Sequence, residues 1–108
     1  MSGNINQFDV FVADLEPSKG SEIRKVRPIV IISPKEMNKN LKTVLIAPLT
    51  HTLKQYPSRV FCELNGETGE IVLDQIRGID KKRLKRKIGA IDKRTAADLK
   101  KVLATMFS

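Results

Sequence analysis

Cysteine is the scarcest chemistry in this 108-residue sequence: Cys62 stands alone, alongside a single histidine, His51, and no tryptophan. One cysteine excludes an intrachain disulfide, and Cys62 with His51 cannot supply the four ligands of a structural zinc site. Long apolar runs are also missing. The longest purely aliphatic run covers residues 29–32, far short of the roughly 18 residues a membrane span needs. Residues 1–9, MSGNINQFD, have neither the basic start nor the apolar stretch of a signal peptide. These absences predict a cytoplasmic protein with no membrane partner. No Walker loop, dinucleotide fingerprint, His-Glu-x-x-His or Gly-x-Ser-x-Gly occurs, which removes the enzyme classes built on them. Repeats and low-complexity tracts are absent too, so residues 1–108 read as a single domain, with residues 1–6 expected to be loose.

What the chain does have is positive charge. Its net charge is +8, and residues 81–101 hold ten of the 20 Lys and Arg (Lys81, Lys82, Arg83, Lys85, Arg86, Lys87, Lys93, Arg94, Lys100, Lys101) against Asp92 and Asp98. The rest of the chain is therefore neutral. A cationic field confined to the C-terminal fifth attracts polyanions, nucleic acid first among them, or serves as a solvated face that maintains solubility.

The hydrophobic pattern predicts an all-β domain closed by a helix. Residues 8–14 alternate with period two, and 28–33 form a β-branched run with no polar break, the mark of a strand buried on both faces. Residues 34–40 interrupt, and apolar strands follow at 43–49, 58–64 and 70–76. The last two are joined by Asn65-Gly66-Glu67-Thr68-Gly69, read as a hairpin turn. Strands at this spacing suggest a small barrel or sandwich. From Asp92 onward Ala96, Leu99, Val102, Leu103, Met106 and Phe107 recur at three and four, an amphipathic helix that Asp92 or Thr95 can cap. Cys62 falls inside an alternating strand as a small packed residue. Phe8, Phe11, Phe61 and Phe107 lie in core patterns, which leaves Tyr56, in the polar loop 52–58, as the one candidate stacking platform, the alternative being ordinary loop packing.

Pairing arithmetic singles out two residues. If 28–33 and 43–49 form an antiparallel hairpin, paired numbers share a constant sum; a sum near 77 pairs Ser33 with Val44 and Ile32 with Leu45, and brings Arg27 opposite Thr50. Pro28 holds Arg27 extended. Arg24 and Lys25 add charge beside it. A guanidinium fork and a hydroxyl suit phosphate oxygens, although the same two residues could equally finish the strand ends at the surface.

The order Asp14-Leu15-Glu16-Pro17, Lys19-Gly20-Ser21-Glu22, Arg27-Pro28, Ile32-Ser33-Pro34, Asn38, Pro48-Leu49-Thr50 and Asp74-Gln75-Ile76-Arg77 resembles the MazF/PemK family of toxin endoribonucleases from bacterial toxin–antitoxin modules, over residues 7–107. The resemblance implies a mainly β fold: an SH3-like antiparallel β-barrel with short connecting helices and a C-terminal helix. It further implies a homodimer, cleavage of single-stranded RNA at short sequences without metal or cofactor, and neutralisation by a cognate antitoxin. Carried over by position, Arg27 and Thr50 are the catalytic pair. By the same match Glu22 belongs to the loop that lines and gates the site, and Asp74 and Gln75 fall on the family's Asp-Gln pair, whose aspartate serves some members as an acid or base. Beside that match, Ser21, Arg24, Lys25, Tyr56, Lys81, Lys82, Arg83 and Arg86 join Gln75 as the candidate RNA-binding set. The chain has Val72 where some members carry arginine, and His51-Thr52 where others carry Ser-Gln or Thr-Gln.

Metal-free cleavage of RNA uses the 2′-hydroxyl as an internal nucleophile and produces a 2′,3′-cyclic phosphate and a 5′-hydroxyl. The protein must align the attack, stabilise charge on the phosphoryl oxygens and move two protons. Arg27 and Thr50 can supply the first two. The proton transfers are left among Arg27, Asp74, Glu22 and His51. Two other classes share the same surface: a barrel that binds nucleic acid or protein without cutting, and a gyrase-targeting toxin of related fold.

Overall fold

In the computed structural model, residues 4–15 and 26–108 are described. Among them are seven strands and two helices, in the order β1 (Asp9–Asp14), β2 (Val26–Ile31), α1 (Lys35–Asn40), β3 (Thr43–Thr50), β4 (Arg59–Leu64), β5 (Glu67–Val72), β6 (Arg77–Asp80), β7 (Leu84–Ala90) and α2 (Lys93–Met106), with 3-10 turns at Leu73–Gln75 and Lys81–Arg83. The strands follow the path β4-β5-β3-β2-β1-β7, and β6 pairs with β3. All the pairings are antiparallel.

The β2–β3 register has the index sum the sequence predicts. Ile29 pairs with Pro48, Val30 with Ala47 and Ile31 with Ile46, and the Ile32 N–H continues the match by donating to the Leu45 carbonyl at 2.8 Å. The uninterrupted β-branched run of β2 is explained by two cores, one on each face. Val30 and Ile32 join Phe8, Val10, Ala47, Val60, Cys62, Ile71, Leu73 and Leu99 on one side, whereas Ile29 and Ile31 join Ile5, Phe11, Ala13, Val44, Ile46, Ile79 and Leu84 on the other. Leu99, fully buried, fixes α2 over the first core. Asp92 caps this helix by accepting from the Thr95 N–H at 2.7 Å.

The sheet is curled, not closed by hydrogen bonds: β4 and β7 end the path unpaired with each other. Side chains bridge the gap, with Asn65 Nδ2 donating to the Ile88 carbonyl at 3.3 Å and Leu64 lying so close to Gly89 that a Cβ added there would stand 3.0 Å from it. The result is the half-barrel form of the expected fold.

Several local expectations change. The 65–69 connection is a two-residue turn, with Asn65 (φ 53°) and Gly66 (φ 82°) both left-handed, so β5 begins at Glu67 and not at residue 70. The strand expected at 70–76 ends at Val72 and yields to a 3-10 turn. Against β3, paired numbers sum to 120 on β5 (Leu49 with Ile71, Thr50 with Glu70) and to 123 on β6 (Val44 with Ile79). The Leu73–Gln75 turn absorbs that offset. The basic run at 81–87 hides a turn and the strand β7; its charges mask the period-two signal, because β7 is an edge strand exposing Lys85, Arg86 and Lys87. Phe61 (57% exposed) and Phe107 (75% exposed) lie outside the core, contrary to their sequence pattern. Within the segment 1–6, Ile5 is buried at 3% exposure, and its carbonyl accepts from Asn38 Nδ2 at 3.1 Å.

Candidate active site

Arg27 lies exposed near the start of β2, paired with Ala13 of β1. Thr50 is the last residue of β3, half-buried and paired with Glu70 of β5. Extending the β2–β3 register by two residues beyond Ile29 and Pro48 sets Arg27 against Thr50, but β3 has by then exchanged its ladder for β5. Pro48, with no N–H to give, stands at that exchange. Arg27 and Thr50 therefore border the fork where the two strands part. Among the described residues the Arg27 guanidinium has no hydrogen-bond or ion-pair partner, and Thr50 Oγ1 accepts from the Thr52 N–H at 3.2 Å.

Directly paired residues of an antiparallel sheet project to one face. Phe61 pairs with Glu70, Glu70 with Thr50, and Arg27 with Ala13. Phe61, Glu70, Thr50 and Arg27 thus form one row across the sheet, interrupted only at the fork. The row lies on the face opposite Val60, Cys62 and Ile71. Gly69 sets how closely β5 approaches: a Cβ there would stand 2.5 Å from the Thr50 carbonyl oxygen, so any side chain at this position forces the two backbones apart.

The loop 51–58, which carries the chain from Thr50 to β4, folds over Glu70 and buries it to 3% exposure. Glu70 Oε1 accepts from the Lys54 N–H at 3.0 Å and Oε2 from the Gln55 N–H at 2.8 Å. Arg59 is 13% exposed, with Nη1 3.8 Å from Glu70 Oε1 and Nε 3.5 Å from Asp74 Oδ1. Its guanidinium also lies 5.0 Å from the centre of the Tyr56 ring. The Lys54 N–H is the largest influence holding the Glu70 carboxyl below its ordinary range; burial opposes it, and the Gln55 N–H and Arg59 reinforce it. For Asp74, burial pushes upward most strongly but is outweighed by the Ser58 hydroxyl, which donates to Oδ1 at 2.9 Å, by its own backbone N–H and by Arg59, so this carboxyl also lies low. Both groups are carboxylates at neutral pH.

The remaining sequence-predicted residues divide. Ser21, Glu22, Arg24 and Lys25 lie outside the described residues. Asp74 and Gln75 are exposed on the 3-10 turn after β5. His51 is at the other end of β5, with Nδ1 3.4 Å from the Thr68 carbonyl and Nε2 3.8 Å from Glu67, so His51 and Asp74 are not brought together. Tyr56 is 51% exposed, as a stacking platform requires. Arg83 Nη1 donates to the Asp14 carbonyl at 3.2 Å, which gives this member of the basic cluster a structural task. Lys81 is half-buried; Lys82 and Arg86 are exposed. Cys62 is buried, and that burial, aided by the Asp92 charge, pushes its thiol up to about 11, as suits a packed residue. Among the described residues no cluster of three or more His, Cys, Asp or Glu could hold a metal ion, and no helix is long and apolar enough to cross a membrane.

Sequence reasoning missed Arg59, Glu70, Gly69 and the exposure of Phe61. The Asn65-Gly66 dipeptide held the signal: a two-residue turn there pairs Leu64 with Glu67, and counting back pairs Phe61 with Glu70 and sets Arg59 on the diagonal.

The fold has close counterparts among solved structures. A crystal structure of MazF (Form-I) from Deinococcus radiodurans superposes with a TM-score of 0.78 at 20% identity, covering 98% of each chain. An endoribonuclease in complex with its cognate antitoxin from a mycobacterial species gives 0.80 at 24% identity, covering 94% of this chain and 93% of that one. In sequence, the Endoribonuclease MazF of Staphylococcus epidermidis is 41% identical over 90 residues, 78% of this chain and 75% of that protein. The family described as PemK-like, MazF-like toxin of type II toxin-antitoxin system matches residues 6–107. With nearly its whole length covered, the chain belongs to the PemK/MazF toxin family.

Proposed function

We propose that this protein is the endoribonuclease toxin of a toxin–antitoxin module, acting in the cytoplasm on single-stranded RNA at a short recognition sequence and held inactive by a cognate antitoxin. The observation that carries this reading is the β2–β3 register, which directs Arg27 and Thr50 to the fork between the strands on one face of the sheet. Among the described residues no partner engages the exposed Arg27 side chain, which supports its availability to a phosphate. It stabilises the charge that builds on the phosphoryl oxygens as the substrate's own 2′-hydroxyl attacks, and the Thr50 hydroxyl donates to the same group. Asp74, kept ionised by Ser58 and Arg59, is suited to accept a proton but not to supply one at neutral pH. The leaving-group proton falls to Arg27, His51 or Glu22. Tyr56 stacks on an unpaired base, and Gln75 with Lys81, Lys82 and Arg86 contacts the strand. The reaction needs no metal or cofactor.

The reading includes a homodimer. Its support is the apolar surface left at the C-terminal end of α2, where Met106 and Phe107 are exposed beside an open cavity of about 370 Å³ lined by Pro57, Ser58, Lys101, Val102, Thr105 and Met106.

The test is purified protein incubated with a long single-stranded RNA in EDTA, with the ends mapped. Cuts at one short motif that leave 5′-hydroxyl ends are expected. RNA that is bound but left intact would overturn the enzymatic reading in favour of a binding module, and intact, unbound RNA would point to a protein target.

A further inference from the structure

The Glu70 carboxylate is buried in a sheet of a small protein, a costly position for a charge unless it is fully engaged. Its two oxygens accept from consecutive backbone N–H groups, those of Lys54 and Gln55, and both lie in the irregular loop 51–58 that follows Thr50. Gln55 is held left-handed at φ 60°, a conformation an ordinary side chain adopts only when its surroundings impose it. The same carboxylate faces Arg59, whose guanidinium supports the Tyr56 ring and reaches Asp74. Among the described residues the polar contacts of the Glu70 side chain thus fall on the loop or on the residue that braces its aromatic ring. The Thr50 backbone is fixed independently, by its ladder with β5 and by the close approach of Gly69.

We propose that Glu70 is a positioning residue for substrate recognition: it clamps the 52–56 loop, and through Arg59 braces Tyr56, so that the loop meets the RNA in one preformed shape. This role rests on the endoribonuclease reading above. A preformed loop binds without first ordering itself, so releasing it weakens apparent affinity by the fraction of time the binding shape is lost. The chemical step, carried by Arg27 and Thr50, is left in place. Releasing the loop also lets it accept other bases, and the cleavage motif broadens.

Two measurements on Glu70→Gln test this. In the free protein, backbone hydrogen exchange at Lys54 and Gln55 is expected to accelerate at least about ten-fold, the equivalent of one lost charge-assisted hydrogen bond, with exchange in β2 unchanged. On RNA, KM is expected to rise about ten-fold while kcat stays within about two-fold, and mapped cuts should spread to sites the wild type ignores. A residue that merely supports the fold would instead lower the melting temperature with no change in cleavage motif. Unchanged exchange at Lys54 and Gln55 overturns the clamp. Faster exchange with KM and motif unchanged overturns its role in recognition. If Glu70→Gln does not fold, the wild type decides: Lys54 and Gln55 amides that exchange at unstructured-peptide rates contradict the proposal. A wild-type protein that cuts no RNA removes the functional reading, a failure recognisable because the exchange result is obtained without RNA.

Discussion

Replacing Gly69 with alanine is expected to move Thr50. The new Cβ would stand 2.5 Å from the Thr50 carbonyl oxygen, and the neighbouring atoms on that side are backbone, which cannot swing away as a flexible side chain does. Relief requires β3 and β5 to separate by roughly 0.5–1 Å at this point, enough to restore an ordinary contact. Forcing an extra methyl into a packed site of this kind costs roughly 1–3 kcal/mol, which for a domain of this size lowers the melting temperature by at least about 4 °C. The functional loss should be larger than the loss of stability suggests, because a displacement of about 1 Å in a positioned group can reduce a rate by about 10²-fold. The assay is thermal unfolding by circular dichroism together with single-turnover cleavage of a labelled RNA at a temperature where the variant is fully folded. Wild-type cleavage by Gly69→Ala, with an unchanged melting temperature, would refute both the close approach and the link between Gly69 and the Thr50 position.

Three further outcomes are expected. Asn38→Ala removes the side chain that donates to the carbonyls of Ile5 and Ser33 and accepts from the Ser33 hydroxyl; stranding these buried groups should cost roughly 2–4 kcal/mol without changing the cleavage motif, and a shifted motif would contradict this structural role. Glu70 and Asp74 titrate below their unfolded values, so the stability they contribute is complete above the unfolded carboxylate range and is lost as pH falls through their lowered folded values; the urea midpoint should decline below about pH 4.5, and less steeply in Glu70→Gln, equal slopes arguing against it. Cys62, buried with its thiol raised to about 11, should resist iodoacetamide at neutral pH until the protein unfolds, and rapid labelling of the folded chain would show that its strand opens.

The parts of the fold written in apolar periodicity were legible, and the parts written in charge were not. Uninterrupted β-branched residues in β2 read as burial on both faces, and two separate cores supply it. The index sum that sets Ile29 against Pro48 follows from the two apolar strands and their connection alone. By contrast, β7 reads as a solvated basic run because an edge strand exposes most of its side chains, leaving Leu84 as its one buried residue. Phe61 misled for a related reason: it alternates correctly, but beside Glu70 and Thr50 on the face whose core is built on β1, β2 and β3 and leaves β4 uncovered. For the site, Arg27 and Thr50 could be paired by counting along a hairpin. The Glu70 clamp could not be read in this way, because it links a strand to the backbone of an irregular loop, and donors on a loop backbone have no signature in residue identity.

In the proposed reaction Arg27 and Thr50 act together on one phosphate. That joint action is tested most directly by the single-turnover cleavage rates of Arg27→Ala, Thr50→Val and the double variant, all measured on the RNA that the wild type cuts. Arg27 is exposed, so its loss should leave the melting temperature nearly unchanged, while the rate should fall by at least about 10²-fold. Because the two groups serve one transition state, the double variant should be little slower than Arg27→Ala alone. Cleavage by Arg27→Ala at the wild-type rate, or losses that simply multiply in the double variant, would contradict it.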